Sequence, residues 1–373
     1  MFQLTNEQRA CLGLTIVEPG WEWVQLKNSP YDTGFETWAC FDGPVIRKAV
    51  QVGPDSYQES AYCEKTAEDR TLLLPRTARG KPKKLSAVTL TERRPLGMRF
   101  SWSGERGFIS LVNLDTERTY YSNVYETERP KTFSDFTAWL DCWSAETTPE
   151  DMAALAGFLR EKRQHVKFRE GDFFRFSVGR RQYGYGRVLL DFYRLSKCQP
   201  CWNILMTRPV IVKVYHLITD DPSLPVEELR KLPALPSQYM MDNDLYYGEF
   251  PIVGNLPLED SELDFPIMYG ASISALDFGK KKVLLQCGPL FRELEEAEIP
   301  EGCGGFRNNG IGGLHMDRAD WEACIAAGSN APLWDKTPER YYLRCDLRNP
   351  AYREQLKRVC AQFGLRPEDL HIC

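Results

Sequence analysis

The chain has 373 residues, of which 43% are hydrophobic and 27% are charged, as is typical of a globular protein. Its formal net charge of −5 argues against a general affinity for nucleic acid. No apolar run approaches the roughly 18 residues of a membrane helix, and no signal-peptide pattern opens the chain. We therefore expect a cytoplasmic protein of two domains, at roughly 100–200 residues each, whose twelve scattered cysteines are mostly reduced.

The first part of the chain, residues 1–145, is predicted to be a β-rich domain. Alternating apolar and polar residues in 97–114 predict a hairpin around the turn at 103–107. Two helices follow, the first capped by Ser134 and the second by Thr148, with Pro149 at its first position. The charged stretch 160–170 ends this region, so residues 146–165 are predicted to be a helical connection.

From residue 166 onward the strand pattern returns. Candidate strands lie within 172–178, 186–195, 209–219 and 281–288, and a Gly-rich stretch at 302–313 precedes a helix near 317–327. A last helix is predicted between Pro350 and Gly364. The fold class is therefore α+β, with two domains, each a mainly antiparallel curved sheet or small barrel with a few flanking helices.

The stretch GDFFRFSVGRRQYGYGRVL at 171–189 is the most distinctive in the chain. Phe174 and Phe176 share one face of a predicted strand, and Gly184 and Gly186 share one face of the next. Glycines at these positions indicate a bulge, a sharp bend or a close backbone approach. A phosphate-binding loop is excluded because GxxxxGK[ST] is absent and no helix is predicted after the glycines.

This stretch and YYGEFPIVGNLPL at 246–258 resemble the immunity protein 26 family of bacterial polymorphic toxin systems. The resemblance covers about residues 165–275. The predicted C-terminal domain that contains it spans residues 166–373. It rests on two groups of residues: Gly171, Asp172, Phe173, Tyr183, Gly184, Gly186, Arg187 and Val188, and Gly248, Pro251, Ile252, Val253 and Gly254. It implies a protein that binds and neutralises a cognate toxin and needs no catalytic residue.

Partner contacts are predicted where Tyr and Arg, which are enriched at interface hot spots, occur within this region. These candidates are Tyr183, Tyr185, Arg187, Tyr246, Tyr247 and Glu249. Residues 241–301 contain 13 acidic against 4 basic side chains, which favours electrostatic steering of a basic toxin. The steering candidates are Glu259, Asp260, Glu262 and Asp264; a solvated acidic face is the alternative.

A second interpretation comes from residues 70–84, which carry six basic residues and no acidic one. Arg76, Arg79, Lys81, Lys83 and Lys84 are candidates for contacts with nucleic acid or with another anion. A solvated basic loop is the alternative, since no recognised nucleic-acid motif surrounds the segment.

An enzymatic function has weaker support in the sequence. The immunity family is also grouped with phosphotriesterase-like proteins, but the four histidines form no HxH or HExxH pair, so we predict no metal site and no cofactor. Cys198 and Cys201 form one CxxC, predicted to be a turn between strands rather than a redox or zinc site. His216 is predicted to be a strand residue whose ring is hydrogen-bonded. No nucleophile motif is present, and a metal-dependent hydrolase remains a minor alternative.

Overall fold

The computed structural model describes residues 2–29, 34–74, 81–198, 209–271, 282–295, 312–335 and 346–371. The chain divides into two compact units, unit 1 at Met1–Gln164 and unit 2 at His165–Cys373. No helix in the described ranges is long and apolar enough to cross a membrane.

Unit 1 is built on an antiparallel sheet of seven strands in the order β1-β2-β3-β4-β7-β8-β9. These strands are β1 Glu22–Leu26, β2 Glu36–Asp42, β3 Val45–Gly53, β4 Ser56–Lys65, β7 Leu96–Ser103, β8 Phe108–Asn113 and β9 Arg118–Ser122. A separate short pair is formed by β5 Leu72–Leu73 and β6 Lys83–Lys84. The helices are α1 Asn6–Cys11, α2 Ala87–Thr91, α3 Phe133–Ala145 and α4 Pro149–Arg160.

The core of unit 1 forms where α3 packs on one face of this sheet. In β7 alternate residues are buried, so Phe100 and Trp102 face the same side. The Phe136 ring of α3 stacks on Trp102 with 4.5 Å between centroids. A smaller apolar cluster containing Phe41 and Leu90 includes α2.

Side-chain caps mark the residues at which the helices α3 and α4 of unit 1 begin. Thr148 caps α4 as predicted, because its hydroxyl accepts from the Asp151 backbone N–H and the Asp151 carboxylate accepts in return. The prediction that Ser134 caps α3 is wrong. The cap is Thr132, which forms the same reciprocal pair with Asp135 and starts the helix one residue before Ser134.

Unit 2 contains a five-stranded antiparallel sheet in the order β13-β12-β11-β10-β14 and a three-stranded one in the order β15-β16-β17. The strands are β10 Asp172–Ser177, β11 Tyr183–Asp191, β12 Pro209–Thr219, β13 Gln238–Met241, β14 Ile252–Asn255, β15 Ile267–Ala271, β16 Lys282–Cys287 and β17 Leu290–Glu295. The helices are α5 Phe192–Cys198, α6 Val226–Leu229, α7 Asn243–Tyr246, α8 Arg318–Ala327, α9 Ala331–Trp334 and α10 Arg353–Gln362.

These sheets confirm the predicted α+β class. They are open rather than closed barrels within the described ranges, because each has two edge strands. The last helix, α10, also matches its prediction and ends just before Gly364, whose φ of +68° is left-handed. The strand predicted at 186–195 is too long, because β11 ends at Asp191 and α5 starts at Phe192.

Candidate partner-binding surface

The β10–β11 hairpin shows why two glycines lie two residues apart. In the antiparallel register Phe176 is opposite Gly184 and Phe174 is opposite Gly186. A Cβ atom built on Gly186 would lie 2.3 Å from Phe174 Cζ, and one on Gly184 would lie 2.4 Å from Phe176 Cζ. The phenylalanine rings therefore lie over the glycines. The predicted close backbone approach is present at Gly186, where the Lys213 carbonyl oxygen lies 2.7 Å from the Cβ position. The β11–β12 register also shifts between the two glycines, so a bulge is present.

Gly186→Ala is therefore expected to destabilise unit 2 by about 1–3 kcal/mol, as overpacking does. The added methyl would meet the Phe174 ring and, at 2.7 Å, the fixed carbonyl oxygen of Lys213. Gly157→Ala is the matched control, because Gly157 lies within α4 with nothing within 4 Å of its Cβ position. The control is expected to stabilise by up to about 1 kcal/mol. Chemical unfolding curves test both, and equal effects would contradict the packing explanation.

The expected exposure of Tyr185 and Arg187 is wrong, because both side chains are fully buried, and their contact with a partner stays a prediction. Strand β11 lies between β10 and β12 and is buried from Gly184 to Asp191, so both of its faces are covered. The Tyr185 hydroxyl donates to the Asp221 carbonyl oxygen at 2.8 Å. Both residues therefore position other parts of unit 2.

The Arg187 guanidinium organises the segment that follows β14. It lies 4.4 Å over the Phe173 ring and donates to the carbonyl oxygens of Leu256 and Pro257 at 2.7 and 3.1 Å. It also pairs with the Glu262 carboxylate. One buried cation thus fixes both the backbone and a side chain of the predicted steering segment.

Glu262 contacts two further cations, Arg230 at 3.0 Å and Lys213 at 3.6 Å. Burial raises the pKa of its carboxyl, but a backbone hydrogen bond and these cations outweigh burial, so the pKa lies below its usual value. Its side chain is 9% exposed. We call Arg187, Lys213, Arg230 and Glu262 the Arg187 cluster. Because three cations compensate its charge, Glu262 contributes little to a long-range negative field.

The other predicted steering residues differ in their surroundings. Glu259 pairs with Arg230 at 2.5 Å, and Asp264 pairs with Arg348 at 2.7 Å. Asp260 lies in an exposed single turn of 3-10 helix. Three of the four predicted acidic side chains are thus paired with cations of unit 2, but only Glu262 is nearly buried, since the side chains of Glu259 and Asp264 are 64% and 51% exposed.

Tyr246 and Tyr247 belong to a surface group of rings that also contains His165. The His165 ring stacks on Tyr246 with 4.7 Å between centroids, and the two tyrosine rings meet edge to face at 5.1 Å. Tyr246 is 37% exposed, His165 is exposed and Tyr247 is half-buried. We call these three residues the aromatic cluster. His165 was not among the predicted contact residues, because the two tyrosines that it contacts lie more than 80 residues further along the chain.

The remaining predicted contacts, Tyr183 and Glu249, are half-buried. The Tyr183 ring lies under the Arg175 guanidinium at a distance of 4.7 Å. Both are therefore accessible in part, unlike Tyr185 and Arg187.

Asp244 lies in α7, the short helix that ends at Tyr246, and burial raises the pKa of its carboxyl to about 6. An acid whose folded pKa is raised costs stability when it ionises, so this cost is complete above pH 6 and disappears on acidification. Asp244→Asn is therefore expected to raise the thermal unfolding midpoint more at pH 7.5 than at pH 4.5. Asp260→Asn, at an exposed site, is the control. A gain that is independent of pH would contradict this assignment.

The basic segment at 70–84 is described only in part. Arg76 and Arg79 lie outside the described residues, Lys81 and Lys84 are exposed, and Lys83 pairs with Glu92. Its nucleic-acid contacts stay a prediction.

The remaining predictions concern His216, the CxxC, the Gly-rich stretch and metal binding. His216 is a buried residue of β12 whose ring is bonded to the Asn330 side chain at 3.0 Å, as predicted. Cys198 is the last residue of helix α5, so a helix and not the predicted strand precedes the CxxC. Cys201 and most of the Gly-rich stretch lie outside the described residues. In the described ranges, no group of three or more His, Cys, Asp or Glu is placed to hold a metal ion.

Residues 169–281 match the family model described as Immunity protein 26. The match confirms the predicted resemblance and its place in the C-terminal part of the chain. It contains the five-stranded sheet, the Arg187 cluster and two members of the aromatic cluster. No curated protein and no solved structure matches the chain.

Proposed function

We propose that the chain is a toxin-neutralising immunity-type protein, in which unit 2 binds a cognate bacterial toxin and occludes its functional site. The observation that carries this proposal is the match of residues 169–281 to the Immunity protein 26 family. Binding requires an exposed, preorganised surface rather than a catalytic group. The toxin is a partner protein whose recognition depends on the surface described above.

The aromatic cluster is the proposed anchor of this surface. Tyrosine gives a large contact area with little loss of side-chain entropy, and it is enriched among residues that dominate binding energy. Stacking on His165 restricts the Tyr246 ring before binding. Tyr183 and Glu249 are proposed as further contacts.

Steering in this proposal falls mainly to Asp260, with Glu259 contributing less because Arg230 compensates its charge. Glu262 and Asp264, together with Tyr185 and Arg187, act as positioning residues that hold the segment in place. Exposed charges change the association rate and its salt dependence more than the stability of the complex. Asp260→Asn is therefore the variant that tests how much this charge contributes to the association rate.

The proposal is tested by immobilising the full chain, capturing proteins from the source bacterium after nuclease treatment, and producing the captured protein separately. A 1:1 complex of purified proteins in calorimetry, together with arrest of growth by the captured protein alone, supports the immunity function. Capture that disappears with nuclease would instead favour nucleic-acid binding, and no complex between purified proteins would contradict the proposal.

Replacing both tyrosines of the anchor, Tyr246→Ala with Tyr247→Ala, is expected to weaken toxin binding by about 2–4 kcal/mol, because two hot-spot side chains are lost. Tyr193→Ala is the matched control: Tyr193 is 38% exposed, close to the 37% of Tyr246, and lies outside the cluster. The control is expected to change binding by less than about 0.5 kcal/mol. Equal dissociation constants for the double variant and the control would exclude the aromatic cluster as the anchor.

A further inference from the structure

Unit 2 contains a partly open cavity of about 640 Å³, which is within the range of small-molecule sites. Its floor consists of buried apolar residues of the core between the three-stranded sheet and α10, including Phe265, Ile267, Leu347 and Leu370. The cavity is separate from the Arg187 cluster and from the aromatic cluster, because no residue of either lines it in the described part of the chain.

Two arginines line the cavity, and their surroundings differ. The Arg348 guanidinium is held by Asp346 at 2.6 Å, by Asp264 at 2.7 Å and by the Ser237 carbonyl oxygen at 2.7 Å. Its donors are therefore occupied within the fold, and it forms a fixed part of the wall.

Arg353, the first residue of α10, is exposed at the cavity. It forms no ion pair within 4 Å among the described residues, and its charge helps to lower the pKa of the neighbouring Glu354. The oxygen of the neighbouring Asn349 side chain accepts from the Ala351 N–H at 2.9 Å. Asp264, the acidic residue of the lining, is already paired with Arg348. The lining thus offers a ligand an apolar floor and one exposed guanidinium that forms no ion pair with the residues that the structure describes.

We propose that this cavity binds a small amphipathic carboxylate, with its aliphatic body on the Phe265–Leu370 floor and its carboxylate paired with Arg353. The apolar body supplies affinity in proportion to the area removed from water, and a charge-assisted hydrogen bond to the guanidinium orients the head group. This site is independent of toxin binding.

Decanoate below its micelle concentration is the probe, titrated into the full chain by calorimetry. Saturable 1:1 binding is expected, with acetate and decanol both binding at least about tenfold more weakly, since each lacks one of the two recognised parts. Arg353→Gln is expected to weaken decanoate binding by roughly tenfold or more, as loss of a charged hydrogen bond does.

Arg358→Gln is the matched control, because Arg358 is also exposed on α10 but does not line the cavity. It should leave the decanoate dissociation constant unchanged. No saturable decanoate binding by the wild-type chain would overturn the proposal, and so would equal losses in the two arginine variants. Neither result would affect the test of toxin binding, which uses a different surface and a protein ligand.

Discussion

Glu59→Gln is expected to destabilise unit 1 by about 3–5 kcal/mol, which is the cost of breaking a buried ion pair by removing one partner. Glu59 is fully buried on β4, and its carboxylate accepts from Arg9 Nε at 2.8 Å and from the Tyr57 hydroxyl at 2.6 Å. It also pairs with the buried ammonium of Lys48. The neutral amide would leave two buried cations without a counter-charge.

The lowered pKa of Glu59 also indicates that its charged form stabilises the fold. Burial raises the pKa of its carboxyl, but Lys48 and Arg9 outweigh burial and hold the pKa below the usual 4.5. A lowered folded pKa gives stability that is complete above about pH 4.5 and is lost as the pH falls through the folded pKa. Protonation of the Glu59 carboxylate is therefore expected to contribute to the unfolding of the wild-type chain in acid.

Glu64→Gln is the matched control for Glu59→Gln, because Glu64 lies on the same strand but is partly exposed and pairs with Arg93 at 3.4 Å. Its expected cost is at most about 1 kcal/mol. Adding Lys48→Met to Glu59→Gln should restore part of the loss, since it removes one of the unpaired cations. Chemical unfolding combined with hydrogen exchange in residues 2–164 measures these effects. Equal costs for the two glutamine variants would contradict the role assigned to Glu59.

Arg187→Met is expected to cost unit 2 about 3–5 kcal/mol. Methionine keeps the apolar stem on Phe173 but removes the donors to Leu256, Pro257 and Glu262. The carbonyl oxygens would lose their buried partner, and Glu262 would keep only Arg230 and Lys213 of its described cations. Faster hydrogen exchange is expected first in residues 256–264.

Arg175→Met is the control for Arg187→Met. Arg175 lies on the neighbouring strand β10, stacks over the half-buried Tyr183 ring and donates to the Pro222 carbonyl oxygen at an exposed position, so its expected cost is about 1–2 kcal/mol. Unfolding free energies and peptide-level hydrogen exchange are compared for both variants. Unchanged exchange in residues 256–264 of Arg187→Met would show that the guanidinium does not hold this segment.

The features that could be predicted from the sequence are those encoded locally. The Thr148 cap and its Asp151 partner are three residues apart, and α10 is defined by a periodic apolar stripe and a terminal glycine. The β10–β11 hairpin shows its alternation and its paired glycines within one stretch. In each case the stabilising contacts join residues close in sequence, so the pattern is visible without the fold.

The features that could not be predicted depend on contacts between distant residues. Alternation in β11 assigns Tyr185 and Arg187 to one face but does not reveal that this face is covered. Arg187 meets Glu262 across 75 positions, and Arg9 meets Glu59 across 50. An acidic composition likewise does not reveal which carboxylates are already paired with a cation of the same chain. Burial separates Tyr185, Arg187 and Glu262 from the proposed contacts, whereas Asp264 is separated from them by its ion pair with Arg348.

Growth rescue is the most direct test of the proposed immunity function. The captured partner is expressed from an inducible promoter in a bacterial host, together with the wild-type chain, the Tyr246→Ala/Tyr247→Ala variant or Tyr193→Ala, all at equal levels. We predict that the wild-type chain and Tyr193→Ala restore growth and that the double variant does not. Growth arrest that persists with the wild-type chain, despite a stable complex of the purified proteins, would contradict neutralisation by this chain.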